Sequence, residues 1–204
     1  MINFLTDAVH NVWPMLFIFT VIIVSIRITY LILNRERLVL HEELLMLCFI
    51  LYILLLYYFV SFQDNNYGTN NFVPFREIFR YKTISPLFIR NVLCNALLFV
   101  PFGFLISYYV KNRTVIPIII LSTLVSCAIE FAQSVIGRTV DIDDVILNVT
   151  GGILGYLLFK LGSKVTDKLP RFMHTQIFKD VLSIFVILVI IYLAYKFNLW
   201  RILA

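Results

Sequence analysis

Four of the chain's twelve carboxylates lie within fifteen positions, beside an arginine and a glutamine, and apolar stretches flank them on both sides. A carboxylate that is partly removed from water can act as a general acid or base, and an arginine can hold a phosphate or another carboxylate. Residues of these types at this spacing therefore indicate a site for acid–base chemistry or for binding an anion. The residues concerned are Glu130, Gln133, Arg138, Asp141, Asp143 and Asp144.

Four of them are candidate catalytic residues. Glu130 is the candidate acid or base, and Arg138 would hold a phosphate or carboxylate group of a substrate. Asp141 and Asp144 would orient Arg138 or bind a divalent cation. A second interpretation stays open for these two, since Asp141 could cap a helix and Asp144 could be an acid of its first turn. No histidine lies near in sequence, so we predict no metal site.

The composition is that of a membrane protein. Of 204 residues, 61% are apolar and only 14% are charged, with a mean hydropathy of +0.92. Soluble domains are nearer half apolar and a quarter charged. Runs of about 18–22 apolar residues are long enough to cross a bilayer as helices. The sequence therefore predicts an all-α, polytopic membrane protein with about six transmembrane helices, at 12–33, 44–62, 91–110, 115–136, 144–161 and 180–199.

The polar residues are predicted to meet at one side of the membrane, because consecutive spans run antiparallel. Polar side chains occupy the start of the third span, the end of the fourth and the start of the fifth, and they are three or four residues apart, so that each pair shares a helix face. The long loop 63–90, between the second and third spans, emerges on the same side. The candidate substrate-binding residues are Arg76, Asn91, Asn95, Gln133 and Asn148.

Small residues follow the same face of the fifth span. Gly151 and Gly155 form a small-x-x-x-small pattern, which lets a neighbouring helix approach closely. Gly137 is the expected C-terminal cap of the fourth span. We therefore expect the polar face of the fifth span to be its packing face as well.

The distribution of lysine and arginine favours both termini outside the cell. Loops 34–43, 111–114 and 160–179 carry nine basic residues, against seven on the opposite side, and the cytoplasmic side is usually the more basic. The polar ends and loop 63–90 are then extracytoplasmic. We expect three segments: two N-terminal spans (1–62), a core of the long loop and three spans (63–161), and a basic cytoplasmic linker with the last span (162–204).

The ordered set of motifs in the core resembles the VanZ-like family of bacterial membrane proteins. The resemblance covers about 60–161 and implies a multi-pass protein of the bacterial cytoplasmic membrane, associated with resistance to teicoplanin, a lipoglycopeptide that binds cell-wall precursors outside the membrane. It implies no settled reaction. The motifs are "NFVPF" at 71–75, Asn91, Asn95, Phe99-x-Pro101-x-Gly103, Glu130-x-x-Gln133, Arg138, Asp141-x-x-Asp144-x-x-x-Asn148 and Gly151, Gly152 and Gly155.

Three functions are compatible with these residues. The first is a resistance protein that modifies, occludes or excludes something at the outer surface, with the antibiotic, membrane lipids or lipid-linked cell-wall precursors as partners. The second is a small proton-coupled transporter with Glu130 as its relay, and the third is a non-catalytic module that binds lipids or membrane proteins. Whether the chain is an enzyme and whether it oligomerises stay open. No motif for a cofactor is present, and a pI near 9.2 is ordinary for basic membrane loops, so we expect no cofactor and no nucleic-acid partner.

Overall fold

The described part of the chain is helical and contains no named strand. The computed structural model describes residues 2–62, 70–80, 85–110, 114–166 and 168–196; side chains are not described at 2–12, 58–62, 77, 86, 90, 190–191 and 193–196. The all-α prediction is confirmed. The helices are α1 (Ile2–Asn34), α2 (Leu40–Phe62), α3 (Arg76–Arg80), α4 (Pro86–Phe88), α5 (Cys94–Val110), α6 (Ile116–Val135), α7 (Ile142–Thr166) and α8 (Gln176–Lys196), with a π-helical turn at Ile89–Leu93 and a 3-10 turn at Arg171–His174.

Five segments of the described residues are long and apolar enough to cross a membrane, which confirms a polytopic membrane protein. They match the first five predicted spans. The sixth predicted span, 180–199, lies largely in α8, but residues 197–199 fall outside the described residues, so this span stays a prediction, as does the orientation. The five segments are Trp13–Asn34, Leu40–Tyr57, Asn91–Val110, Ile116–Val135 and Ile142–Thr166.

The chain divides into two compact units. One comprises Met1–Phe59 with Leu169–Ala204, and the other is the continuous stretch Val60–Lys168, which holds every candidate site residue. Within the first unit, Arg27 on α1 donates two hydrogen bonds of 2.8 Å to the carboxylate of Glu43 on α2.

The core of the second unit is the contact of α7 with α5 and α6. A side chain at Gly151 would collide with the carbonyl group of Ala96 on α5, and one at Gly155 would collide with backbone atoms around Val100. Gly152 faces Ser122 on α6. The glycines are buried, so the prediction that this face of the fifth span is its packing face is confirmed.

Local sequence explains where these helices begin and end. Proline at the start of α6 suits the first helical turn, where its missing N–H is not needed. After α6, Gly137 adopts φ +82°, the left-handed conformation that favours glycine, and the N–H of Arg138 donates to the carbonyl of Gln133 at 3.0 Å. The predicted C-terminal cap is thereby confirmed, and the chain reverses within a few residues to begin α7.

Candidate functional site

Three spans bring their polar ends together, as the antiparallel arrangement predicts. Asn95 at the start of α5 donates to Asp144 of α7, with Nδ2 2.6 Å from Oδ1. Glu130 near the end of α6 accepts the backbone N–H of Asp141 through Oε2 at 2.9 Å. One cluster therefore contains candidate residues that are up to 49 positions apart in sequence.

Asp141 is the N-cap of α7. Its Oδ1 accepts the N–H of Asp143 at 2.9 Å, which satisfies one of the free donors in the first helical turn. The same oxygen accepts Nδ2 of Asn71 at 2.9 Å. The capping interpretation is confirmed, and the contact with Asn71 joins the start of α7 to the long loop.

Glu130 is a buried carboxylate, with 5% of its surface exposed, inside a membrane-spanning segment. Its Oε2 holds the start of α7, whereas no described residue donates a hydrogen bond to its Oε1. A buried carboxylate is costly without partners, and the positive charge of Arg138 interacts with both Glu130 and Asp144. Arg138 therefore interacts with carboxylates at the end of α6 and at the start of α7.

Asp143 belongs to the acidic stretch but is not one of the predicted catalytic or substrate-binding residues, and it is the most deeply buried acid of the cluster. Its side chain is fully buried, and it accepts two backbone N–H groups at the start of α3, from Phe75 to Oδ1 at 2.5 Å and from Ile78 to Oδ2 at 3.3 Å. This carboxylate ties the long loop to the first turn of α7. No local pattern reveals the role, because 65 or more residues separate the donors from the acceptor.

Asn71 makes the second connection between the long loop and α7. It pairs with Asp141 in an isolated parallel bridge, in which its N–H donates to the Val140 carbonyl at 2.9 Å and its carbonyl accepts the Ile142 N–H at 3.0 Å. Its side-chain oxygen also accepts the N–H of Val73 at 3.2 Å. The loop therefore approaches the site in a fixed register.

The predicted substrate-binding residues divide between the interior and the surface. Asn148 is buried and donates to the Ser126 hydroxyl at 2.8 Å, a partner that the sequence did not reveal. Gln133 is also buried, and Asn91 is half-buried in the π-helical turn. Arg76 is exposed at the first residue of α3. Asn95 and Asn148 therefore join helices, while Arg76 is accessible to a ligand.

The described cluster combines the candidate acid or base, Glu130, with the candidate anion-binding cation, Arg138, at the ends of α6 and α7. Among the described residues, no group of three or more His, Cys, Asp or Glu side chains could hold a metal ion. Oε2 of Glu130 accepts the N–H of Asp141, and the half-exposed Arg138 interacts electrostatically with Glu130.

These features define a polytopic α-helical membrane protein with a buried carboxylate site at the ends of three spans. The sequence profile of the VanZ/LLP1 family matches residues 44–163, which is more than half of the chain. The protein therefore belongs to the VanZ/LLP1 family, and the predicted resemblance is confirmed.

One relative is Protein VanZ of Enterococcus faecium. The chain is 29% identical to it over 112 residues, which are 54% of this chain. The match spans 65% of that relative's length, just under two thirds. No solved structure matches the chain.

We expect Asp143→Ala to lower the melting temperature of the purified protein in detergent and to expose the start of α3 to protease. The substitution leaves two N–H groups without their charged acceptor, and a hydrogen bond to a charged group contributes about 1.5–3 kcal/mol. The matched control is Thr150→Ala on the exposed side of the same helix, which removes only a bond to the Ile146 carbonyl. If the two variants melted together and were cut at equal rates, Asp143 would not hold the loop.

Proposed function

We propose that this protein lowers susceptibility to teicoplanin-type lipoglycopeptide antibiotics from the bacterial cytoplasmic membrane. It acts at the outer surface on the antibiotic, on membrane lipids or on lipid-linked cell-wall precursors. Membership of the VanZ/LLP1 family supports the class of function, and the clustering of polar residues at the ends of α5, α6 and α7 supports this position for the site.

The observation that carries this proposal is the burial of the Glu130 carboxylate within a membrane-spanning helix. An ionisable group is expensive in that position and by default indicates function. One oxygen is needed to position Asp141, and the other accepts no hydrogen bond from the described residues. Such a group can take or give a proton while its orientation is fixed.

In the enzymatic form of the proposal, each polar residue has a separate task. Glu130 is the general acid or base, placed at the boundary between membrane and water where the head group of a lipid-linked substrate lies. Arg138 binds a phosphate or carboxylate of that substrate, and Arg76 is a second cation near the start of α3. Asp144, with its amide partner Asn95, orients the charge of Arg138.

A non-catalytic binding module is the second candidate function, and a specific observation favours it. Every carboxylate of the cluster accepts a hydrogen bond that joins or caps chain segments. Each acid therefore has a structural role that does not require catalysis. In that case the antibiotic or the precursor would be occluded and would remain chemically unchanged.

The experiment is deletion of the gene followed by complementation with the wild-type chain and with Thr150→Ala as a matched control. Susceptibility to teicoplanin and the composition of extracted lipid-linked precursors are measured in each strain. We expect deletion to increase susceptibility and both chains to restore resistance. A changed precursor or antibiotic would support the enzymatic form, and unchanged molecules with restored resistance would support the binding module. Equal susceptibility of the deletion and the wild type would contradict the proposal.

A further inference from the structure

Large apolar side chains are exposed in a segment that lies outside the membrane-spanning helices. They belong to the stretch that precedes and forms α3, and the exposed fractions are 66% for Phe72, 58% for Val73, 48% for Phe75 and 80% for Phe79. We call these four residues the aromatic patch. Exposed apolar residues within a membrane-spanning helix are explained by contact with lipid. Residues 72–79 lie outside the five candidate spans, so their exposure requires another explanation.

The aromatic patch is held in a defined geometry. Asp143 binds the N–H groups of Phe75 and Ile78, and Phe75 itself has φ +66°, a left-handed conformation that is rare for a bulky residue. The rings of Phe75 and Phe79 are neighbours, with centroids 6.2 Å apart. A strained backbone persists only where its surroundings enforce it, so the fold maintains the exposure of these rings.

The position of the patch along the membrane normal follows from its anchor. Asp143 is in the first turn of α7, and that helix begins one of the membrane-spanning segments. The residues that touch Asp143 must therefore lie at the end of the span, where hydrocarbon gives way to head groups. Exposed apolar residues occur at the same end of the neighbouring spans, with Leu93 42% exposed and Val135 71% exposed.

Arginines accompany the aromatic rings. Arg76 and Arg80, at the two ends of α3, are both exposed. Apolar side chains combined with basic ones are typical of helices that lie in the membrane interface, where the rings enter the acyl boundary and the cations meet phosphates. With Glu77 between the two arginines, the segment 72–80 has a net charge of +1, which complements an anionic lipid surface.

We propose that the aromatic patch is inserted into the leaflet at the polar ends of α5, α6 and α7, and that Arg76 and Arg80 bind the phosphate groups of anionic phospholipids there. The segment is a lipid-binding platform that holds the long loop beside the site. This inference goes beyond the proposed function and stands whether or not the protein confers resistance.

The depth of the patch is tested on the full-length protein in vesicles. Cys48, Cys94 and Cys127 are replaced by alanine, a single cysteine is placed by Phe79→Cys, and it is labelled with an environment-sensitive fluorophore. Leu97→Cys, at a lipid-facing position of α5 that is 61% exposed, is the hydrocarbon control, and Lys168→Cys, at an exposed residue, is the water control. Quenching by brominated acyl chains and by aqueous iodide is measured.

We expect the label at position 79 to be quenched by brominated lipid nearly as strongly as the label at 97, and several-fold less by iodide than the label at 168. Iodide quenching equal to that at 168 would overturn the proposal. Shielding from both quenchers would overturn it as well if the shielding disappeared on dilution of the protein in excess lipid, because a second copy of the chain would then cover the patch.

The contribution of the arginines is tested by Arg76→Gln, by Arg80→Gln and by the double variant. Retention of phosphatidylglycerol on the purified protein is measured after reconstitution in vesicles that contain this lipid, with and without added inorganic phosphate. Vesicles of phosphatidylcholine alone are the blank. We expect retention to fall about fivefold for each arginine removed, to be restored by Arg→Lys, and to be unaffected by inorganic phosphate. Unchanged retention in the double variant, or displacement by millimolar inorganic phosphate, would overturn the assignment to lipid head groups.

Discussion

Gly155→Ala and Gly151→Ala will each lower the melting temperature and the yield of monodisperse protein, whereas Gly162→Ala will not. A methyl group at Gly155 would meet the carbonyl of Val100 and the backbone N of Phe104, and a methyl group at Gly151 would meet the carbonyl of Ala96. Backbone atoms cannot move aside as a side chain rotates, so α7 must separate from α5. Such overpacking costs about 1–3 kcal/mol.

Gly162 is the matched control, because it is a glycine of the same helix with nothing within 4 Å of an added methyl group. Alanine there should stabilise the helix by up to ~1 kcal/mol through its higher helix propensity. The measurement is thermal unfolding of the three variants in one detergent, with gel filtration to record monodispersity. Three equal melting temperatures would remove the argument that the glycine face of α7 is a packing surface.

Glu130→Gln will abolish the resistance phenotype while the protein still folds. The glutamine carbonyl can accept the same N–H of Asp141 that Oε2 accepts at 2.9 Å, so the start of α7 keeps its hydrogen bond. The variant loses only the negative charge and the ability to exchange a proton. Loss of general acid–base catalysis typically costs 10²–10⁴-fold in rate, which would leave no resistance to measure.

Two further variants distinguish the loss of a charge at the site from the loss of structural stability. Glu130→Ala removes the hydrogen bond together with the charge, so we expect it to lose function and to melt lower. Arg138→Ala should also lose both, because Glu130 and Asp144 then remain partly buried without the positive charge that interacts with them. Complementation is measured beside thermal melting of each purified variant. A Glu130→Gln protein that melts normally and complements fully would leave Glu130 with a structural role only.

The sequence alone determined the class of fold and the meeting of the polar residues on one common side of the membrane. The spans are visible because hydrocarbon requires long apolar helices, and their antiparallel order forces the ends with Asn95, Glu130 and Asp144 together. Helical spacing also revealed the packing face with Gly151 and Gly155. These inferences depend on interactions within one helix or on the alternation of neighbouring helices.

The sequence was compatible with a catalytic role for Asp141 and with a helix-capping role, and it did not distinguish between them. A carboxylate just before a helix is compatible with catalysis and with capping, and only the position of its oxygen relative to the Asp143 N–H decides. The same holds for Arg138, since its reach toward Glu130 depends on the left-handed turn at Gly137. The presence of polar and charged residues at the ends of the helices was therefore predictable from the sequence, whereas the role of each side chain was not.

Only the tertiary structure disclosed how the long loop is fixed to the site. The contacts from Asp143 to Phe75 and Ile78, and the pairing of Asn71 with Asp141, join residues 65 or more positions apart. They consist of a few hydrogen bonds, most of them to backbone groups, which leave no periodic pattern in either segment. Such contacts depend on the packing of α5, α6 and α7, because the packing creates the buried position in which a carboxylate requires hydrogen-bond donors.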